Sequence, residues 1–229
     1  MIPKIIHQTS KEFTWEERKL TSRSKKIMPD FEFKLWSDEE NLNLVNKHFP
    51  QYLQAYQNAW HGVIRADIAR CLYLHEFGGI YCDTDYKFFK PIDNDFLAEN
   101  CILGIEEEFD KGLNTTKYGN AFMASEKGFH LWLPFVKSAF ERLQNGEKNI
   151  LFIAGPHALS IYLKNNNQYN QQIKPYQQSS IYPDFKYLKT SFHKTDKTIG
   201  GHLCWGGWRN KPFFSQLKCR ARRLISSIV

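Results

Sequence analysis

The cysteines of this 229-residue chain form no usable pattern. There are five (Cys71, Cys82, Cys101, Cys204 and Cys219), an odd number with no C-x-x-C pair. A disulfide framework and a cysteine-rich zinc site are both disfavoured, and a reducing compartment is the simplest setting. No apolar run reaches the roughly 18 residues that a membrane-spanning helix needs. The opening MIPKIIHQTS puts Pro3, Lys4 and His7 where a signal peptide carries its apolar region, so no secretory leader is expected. Internal repeats are absent, and thirteen Gly and nine Pro exclude collagen-like and low-complexity classes. What the chain does have is core material. Its residues are 42% hydrophobic and 15% aromatic, enough to exclude disorder and to build one domain with at most a small appendage.

Acids are missing from Arg209 onward, where six cations stand (Arg209, Lys211, Lys218, Arg220, Arg222 and Arg223). Without them the net charge of +7 falls to about +1, so the basic character belongs to the C-terminus. A nucleic-acid-binding domain spreads its cations over a folded face, and no nucleic-acid partner is expected. Residues 211–229 mix Phe213, Phe214, Leu217, Leu224, Ile225 and Ile228 with the cations. They read as an interfacial segment for an anionic membrane, or as a solvated, frayed end.

Strand-like and helix-like segments alternate, which argues for an α/β fold. Residues 2–7 and 31–36 read as strands, and 15–28 as a helix stopped by Pro29. Ser37 with Glu40 forms a capping box for the helix that follows. Residues 60–77 carry the most information. At about 100° per residue, Ile64, Ile68, Cys71 and Leu72 share an apolar face. Asp67 falls inside that face and Arg70 on its edge. A carboxylate there needs partners. The two residues form a structural i,i+3 pair, or both point into a polar ligand site. Gly78-Gly79 ends the helix. Residues 80–82 form a short strand running into Asp83-Thr84-Asp85, at the strand end where α/β sheets bind ligands.

Further on, 101–105 and 120–124 read as strands, 129–143 as a helix, and Gly155-Pro156 as a helix start. The Asn/Gln-rich stretch 164–180 reads as a surface loop, and 198–205 as a last strand. Trp15, Trp36, Trp60 and Trp132 are expected in the core. Among the histidines outside the motifs, His157 is best placed to meet an acceptor.

Two aspartates one residue apart can hold Mn²⁺ or Mg²⁺ beside a diphosphate. The chain carries its own control, since Asp93-Asn94-Asp95 has the same spacing but follows Pro91 in a turn-like context. A haloacid-dehalogenase-type phosphohydrolase would require Thr or Val where Lys87 stands. It is the weaker reading.

Taken together, IPKIIHQT at 2–9, FKLWSDEE at 33–40, RADIARCLYLHEFGGIYCDTD at 65–85, NAFMAS at 120–125, AGP at 154–156 and HLCWGGW at 202–208 resemble the family-32 glycosyltransferases. This DXD-bearing group includes fungal Golgi mannosyltransferases and bacterial capsule and lipopolysaccharide transferases, with clostridial glucosylating toxins as distant relatives. The resemblance implies a GT-A fold (a Rossmann-like nucleotide-diphospho-sugar transferase domain) over residues 1–210, with 211–229 as a separate basic tail. It implies a retaining, Mn²⁺- or Mg²⁺-dependent hexosyltransferase using a nucleotide sugar, UDP-hexose first and GDP-mannose second.

Residue by residue, it implies Asp85 as metal ligand and Asp83 at the metal or the donor. Asp67 and Arg70 would hold donor-sugar hydroxyls, and Asn120 would lie near the transferred sugar. His202 would be a C-terminal metal ligand, and Trp208 part of a loop over the diphosphate. His7 and Gln8 would lie near base and ribose. Two positions depart from the group: Ser10 stands where Trp is common, and Gly207 where Ser is common. The expected setting is synthesis of a bacterial surface polysaccharide or lipopolysaccharide, on a glycan or lipid-linked glycan acceptor. The enzyme would be cytoplasmic, peripheral on the inner face of the plasma membrane. The alternatives are a toxin-like protein glycosyltransferase and an inactive nucleotide- or sugar-binding module. Glu106, Glu107 and Glu108 read as a solvated acidic turn rather than the source of a nucleophile.

Overall fold

The first strand, β1 (Ile5–Thr9), is β-branched at its start and buried through its middle. It leads to α1 (Trp15–Ile27), which Thr14 and Glu17 cap reciprocally. β2 (Glu32–Trp36) and α2 (Asp38–His48) follow, the latter opened by the expected Ser37–Glu40 box. After α3 (Leu53–Asn58), α4 (Gly62–Phe77) runs to Gly78, whose φ of +65° turns the chain into β3 (Gly79–Cys82). A Cβ on Gly79, at φ +99°, would lie 2.6 Å from the Ile5 carbonyl oxygen. The double glycine is therefore what lets β3 lie against β1.

The chain continues through β4 (Tyr86–Phe88), α5 (Asn94–Ala98) and a long hairpin of β5 (Cys101–Asp110) and β6 (Thr115–Ser125). Then come α6 (Trp132–Gln144), α7 (Ile150–Ile153), α8 (Pro156–Asn165), β7 (Ile173–Tyr176), α9 (Gln178–Ile181), β8 (Phe185–Lys186), β9 (Ser191–Phe192) and β10 (Gly200–His202). This is a computed structural model describing residues 1–186, 191–206, 221 and 223–225. Trp208 and most of 211–229 lie outside the described residues.

The central sheet has the order β2-β1-β3-β6-β5-β7. β2, β1 and β3 are parallel, β6 is antiparallel to both its neighbours, and β7 is parallel to β5. Alternate residues face two cores. Tyr81, Leu103 and Met123 pack with α4, α6 and α8, while Ile80, Ile102 and Phe122 pack with β4, α5 and α9. β10 pairs antiparallel with β4, placing His202 opposite Tyr86.

Two expectations are corrected here. The stretch 164–180 is not a loop, because Ile173–Tyr176 forms the edge strand β7 and Tyr169 and Ile173 are buried. An edge strand tolerates Pro175, since its free side needs no amide. Trp15 and Trp60 are 58% and 52% exposed, not core. His7 is fully buried, its ring stacked with Trp36, Tyr73 and Phe77. Its Nε2–H donates to the Gly78 carbonyl at 2.9 Å and its Nδ1 accepts from Trp36 Nε1 at 3.2 Å. Gln8 is buried too, its oxygen accepting from the Thr21 hydroxyl (2.7 Å) and its amide donating to the Asp83 carbonyl (3.3 Å). These bonds brace the strand end beside the Asp83 backbone.

His7 carries a prediction. Burial drives its pKa down to about 4, more than the Gly78 carbonyl raises it, and Lys34 adds to the lowering. Above pH 6.5 both folded and unfolded states are neutral here and stability is complete. As pH falls from 6.5 towards 4 only the unfolded state takes the proton, so stability is lost, by about 3 kcal/mol in all. Urea unfolding across that window should show a steeper decline in wild type than in His7→Gln. Equal slopes would count against it.

Candidate active site

β3 ends at the centre of the sheet, where the parallel and antiparallel halves meet. The Asp83-Thr84-Asp85 turn is pinned there on every side. Asp83 N–H donates to the Ala121 carbonyl of β6 (2.9 Å) and Leu203 N–H donates to the Asp85 carbonyl (2.9 Å). The Thr84 hydroxyl donates to Glu17 of α1 at 2.6 Å. The two carboxylates are thereby presented on a rigid element, with Asp85 buried and Asp83 half-buried.

β10 brings in the third member. His202 Nε2 lies 3.0 Å from Asp85 Oδ1 and 3.6 Å from Asp83 Oδ2. The second Asp85 oxygen accepts from Trp205 N–H at 2.7 Å. Burial opposes charge on both partners, but their mutual attraction and hydrogen bonds win. The Asp85 carboxyl is held below, and the His202 imidazole well above, the ordinary range. One ligand atom from each of Asp83, Asp85 and His202 lies within 4.8 Å of the others. Two carboxylate oxygens and an imidazole nitrogen suit Mn²⁺ or Mg²⁺. A Cβ on Gly200 would lie 2.5 Å from the Tyr86 ring, so β10 reaches this position because it has no side chain there.

A second cluster adjoins the first. Arg70 Nη2 lies 3.0 Å from Asp67 Oδ1, and its Nη1 donates to the Asn120 carbonyl (2.6 Å) and lies 3.4 Å from Asp83 Oδ1. Asn120 Nδ2 donates to Asp67 Oδ1 at 2.9 Å. The guanidinium sits 4.5 Å over the Tyr81 ring, and the Tyr81 hydroxyl donates to Asp83 Oδ1 at 2.6 Å. Asp67 and Arg70 are thus an i,i+3 pair and part of the site at once. Burial pushes the Asp67 carboxyl up to about 6 against the opposing pull of Arg70, with the field of Asp83 adding to the rise and the Asn120 bond opposing it. Arg70 is held firmly charged, because the fields of Tyr81, Asp83 and Asp67 outweigh its burial.

The structure therefore joins Asp67, Arg70, Asp83, Asp85, Asn120 and His202. His7 and Gln8 are buried in the adjoining strand, with the Gln8 amide bonded to the Asp83 carbonyl. Trp205 resolves as a buried aromatic corner whose amide holds Asp85. Glu106 pairs with Lys117 at 3.2 Å, while Glu107 and Glu108 are exposed on the hairpin. Two participants were not singled out from sequence. Tyr81 has a signal, because a strand points i and i+2 the same way and Tyr81 precedes Asp83 by two. Glu17 has none, its partner being 67 positions away.

Among solved structures, the PaToxG glycosyltransferase superposes with a TM-score of 0.55 at 22% identity, over 73% of this chain and 71% of that one. The galactosyltransferase LgtC gives 0.52 at 10% identity, over 98% and 96%. The chain has the GT-A fold of these glycosyltransferases. Residues 15–103 match the family model for the glycosyltransferase sugar-binding region containing the DXD motif. An uncharacterized glycosyltransferase of Acanthamoeba polyphaga mimivirus is 31% identical over 176 residues, 72% of this chain and 68% of that protein. Mannosyl phosphorylinositol ceramide synthase CSH1 of Saccharomyces cerevisiae is 27% identical over 212 residues, 88% of this chain and 53% of that protein. The chain belongs to this DXD-containing glycosyltransferase family, and it spans about half the length of the yeast relative.

Proposed function

We propose that the chain is a divalent-metal-dependent, retaining hexosyltransferase that uses a nucleotide sugar and a glycan or lipid-linked acceptor. The observation carrying this is the meeting of Asp83, Asp85 and His202 beside the buried Asp67–Arg70–Asn120 cluster. A cation bound there would neutralise charge on the departing diphosphate. Asp85 and His202 would hold it, with Asp83 shared between it and Arg70. Asp67 and Asn120 would orient donor-sugar hydroxyls. Same-face attack is the route to retention in this reading, because Glu106 is engaged by Lys117 and its neighbours face solvent.

The name of the yeast relative favours mannose as the hexose and a phosphorylated lipid as the acceptor, which lifts GDP-mannose above UDP-hexose. The bacterial surface-glycan setting draws no support from either relative. Among the described residues no helix is long and apolar enough to cross a membrane. A peripheral position on the inner face of the plasma membrane, aided by residues 211–229 as a separate basic tail, remains part of the proposal and rests on the charge of that segment.

The test is thermal stability with GDP or UDP, each with and without Mn²⁺. A nucleotide at about 100 times its Kd should add about 2.7 kcal/mol. A metal-dependent shift with one nucleotide, followed by turnover of its sugar conjugate, supports the reading. No shift with either would remove it, and a shift without turnover would leave a binding module.

A further inference from the structure

The outer face of α1 belongs to no part of this site. At about 100° per residue, Trp15, Lys19, Ser22 and Lys26 fall in one line along the helix, and Arg18, Arg23 and Lys25 flank it within about 80°. Leu20, Thr21 and Ser24 make the opposite, buried face. Glu17 also turns inward, to the Thr14 amide and the Thr84 hydroxyl. Five cations therefore share the outward side, with only Glu16 at its margin. At the N-terminal end of the stripe Trp15 is 58% exposed, with Lys19 Nζ 4.6 Å from its ring centroid. Arg18 lies 5.8 Å over Phe13, just before the helix.

The positive field continues beyond the helix. β4 packs against α1, and on it Lys87 is half-buried. Lys194 Nζ lies 4.8 Å over the ring of Phe89, which packs against the cluster that contains Leu20 of α1.

We propose that this face, the outer side of α1 with Lys87 and Lys194 beside it, docks on an anionic bilayer, with Trp15 at headgroup level and the cations against lipid phosphates. Charge complementarity selects an anionic surface. An exposed indole at the end of a cationic stripe favours lipid, because a bilayer lays a continuous apolar layer beneath its charged one. The inner side of the same helix holds Thr84 through Glu17 and Gln8 through Thr21. Docking would thus set the metal-binding strand end about one helix diameter, roughly 10 Å, from the lipid surface. This role is separate from that of residues 211–229 and does not depend on the transferase reading.

The test is co-sedimentation of the full chain with phosphatidylcholine vesicles, with and without phosphatidylglycerol at about a third of the lipid. Wild type should bind only the anionic vesicles, with salt-sensitive affinity. The combined Lys19→Glu, Arg23→Glu and Lys26→Glu variant should bind on the order of a hundredfold more weakly. Trp15→Ser should bind on the order of tenfold more weakly. A full-length Lys218→Gln, Arg220→Gln, Arg222→Gln variant should keep its sensitivity to the α1 changes. Hydrolysis of a soluble nucleotide sugar, read in parallel, should be unchanged by the α1 substitutions, which keeps a failed transferase reading distinguishable. Three results would overturn the proposal: no vesicle binding by wild type, full binding by the triple variant, or binding that ignores Trp15 and is displaced completely by single-stranded DNA.

Discussion

Asp85→Asn should leave a folded protein whose metal-dependent turnover falls by about a thousandfold or more, equivalent to about 4 kcal/mol of transition-state stabilisation. The substitution is nearly isosteric, and an asparagine oxygen can still accept from Trp205 N–H, now 2.7 Å from Asp85 Oδ2. What disappears is the charge. Asp85 is the buried acid of the ligand set and lies 3.0 Å from His202 Nε2. An amide oxygen there binds a hard cation more weakly and leaves the imidazole without its counter-charge. The Mn²⁺-dependent stabilisation by nucleotide should vanish with activity, while near-ultraviolet circular dichroism stays native. Asp95→Asn is the internal control. It alters the other D-x-D spacing, which caps α5 through the Asp93 carboxylate and the Phe96 amide (2.8 Å). That variant should turn over like wild type. Mn²⁺-dependent turnover surviving in Asp85→Asn would refute the assignment.

Arg70→Ala should cost both stability and activity. Its guanidinium is buried between Asp67 and Asp83, with the Asn120 carbonyl as a third acceptor. Deleting it leaves two carboxylates facing each other across a desolvated gap. Removing one partner of a buried ion pair costs about 3–5 kcal/mol. For a chain of this size that lowers Tm by roughly 10 °C. Turnover should drop by about a hundredfold or more, because Asp67 and Asp83 lose their common anchor. Asp67→Asn in the same protein should restore part of the stability, by removing one of the opposed charges, and none of the activity. A double-mutant cycle in thermal unfolding reads this directly. If Arg70→Ala melts like wild type, Arg70 is not the anchor of this cluster.

The residues that could be read in advance share one property. Their signal is local. Asp67 betrays itself as a carboxylate on an apolar helical face, and the Asp83–Asp85 pair by following a double glycine and a strand. Ser37 and Glu40 announce α2 within four positions. The failures are non-local. The rings that bury His7, those of Trp36, Tyr73 and Phe77, are all far from it in sequence. β7 is hidden by Asn- and Gln-rich flanks, and an edge strand needs few apolar residues to hold its place. Trp15 looks like core by residue type, whereas its angular position among five cations puts it outside.

The pairing of β10 with β4 also has a meaning in time. Trp205 and Asp85, joined through amide and carboxylate, are 120 positions apart. At synthesis rates of about 5–20 residues per second, the aspartates leave the ribosome several seconds or more before their histidine. By then all six strands of the central sheet have been made. An ion held by Asp83, Asp85 and His202 would meet its full set of donors only after β10 docks, and would act as a late latch on a nearly finished structure rather than as a seed for folding.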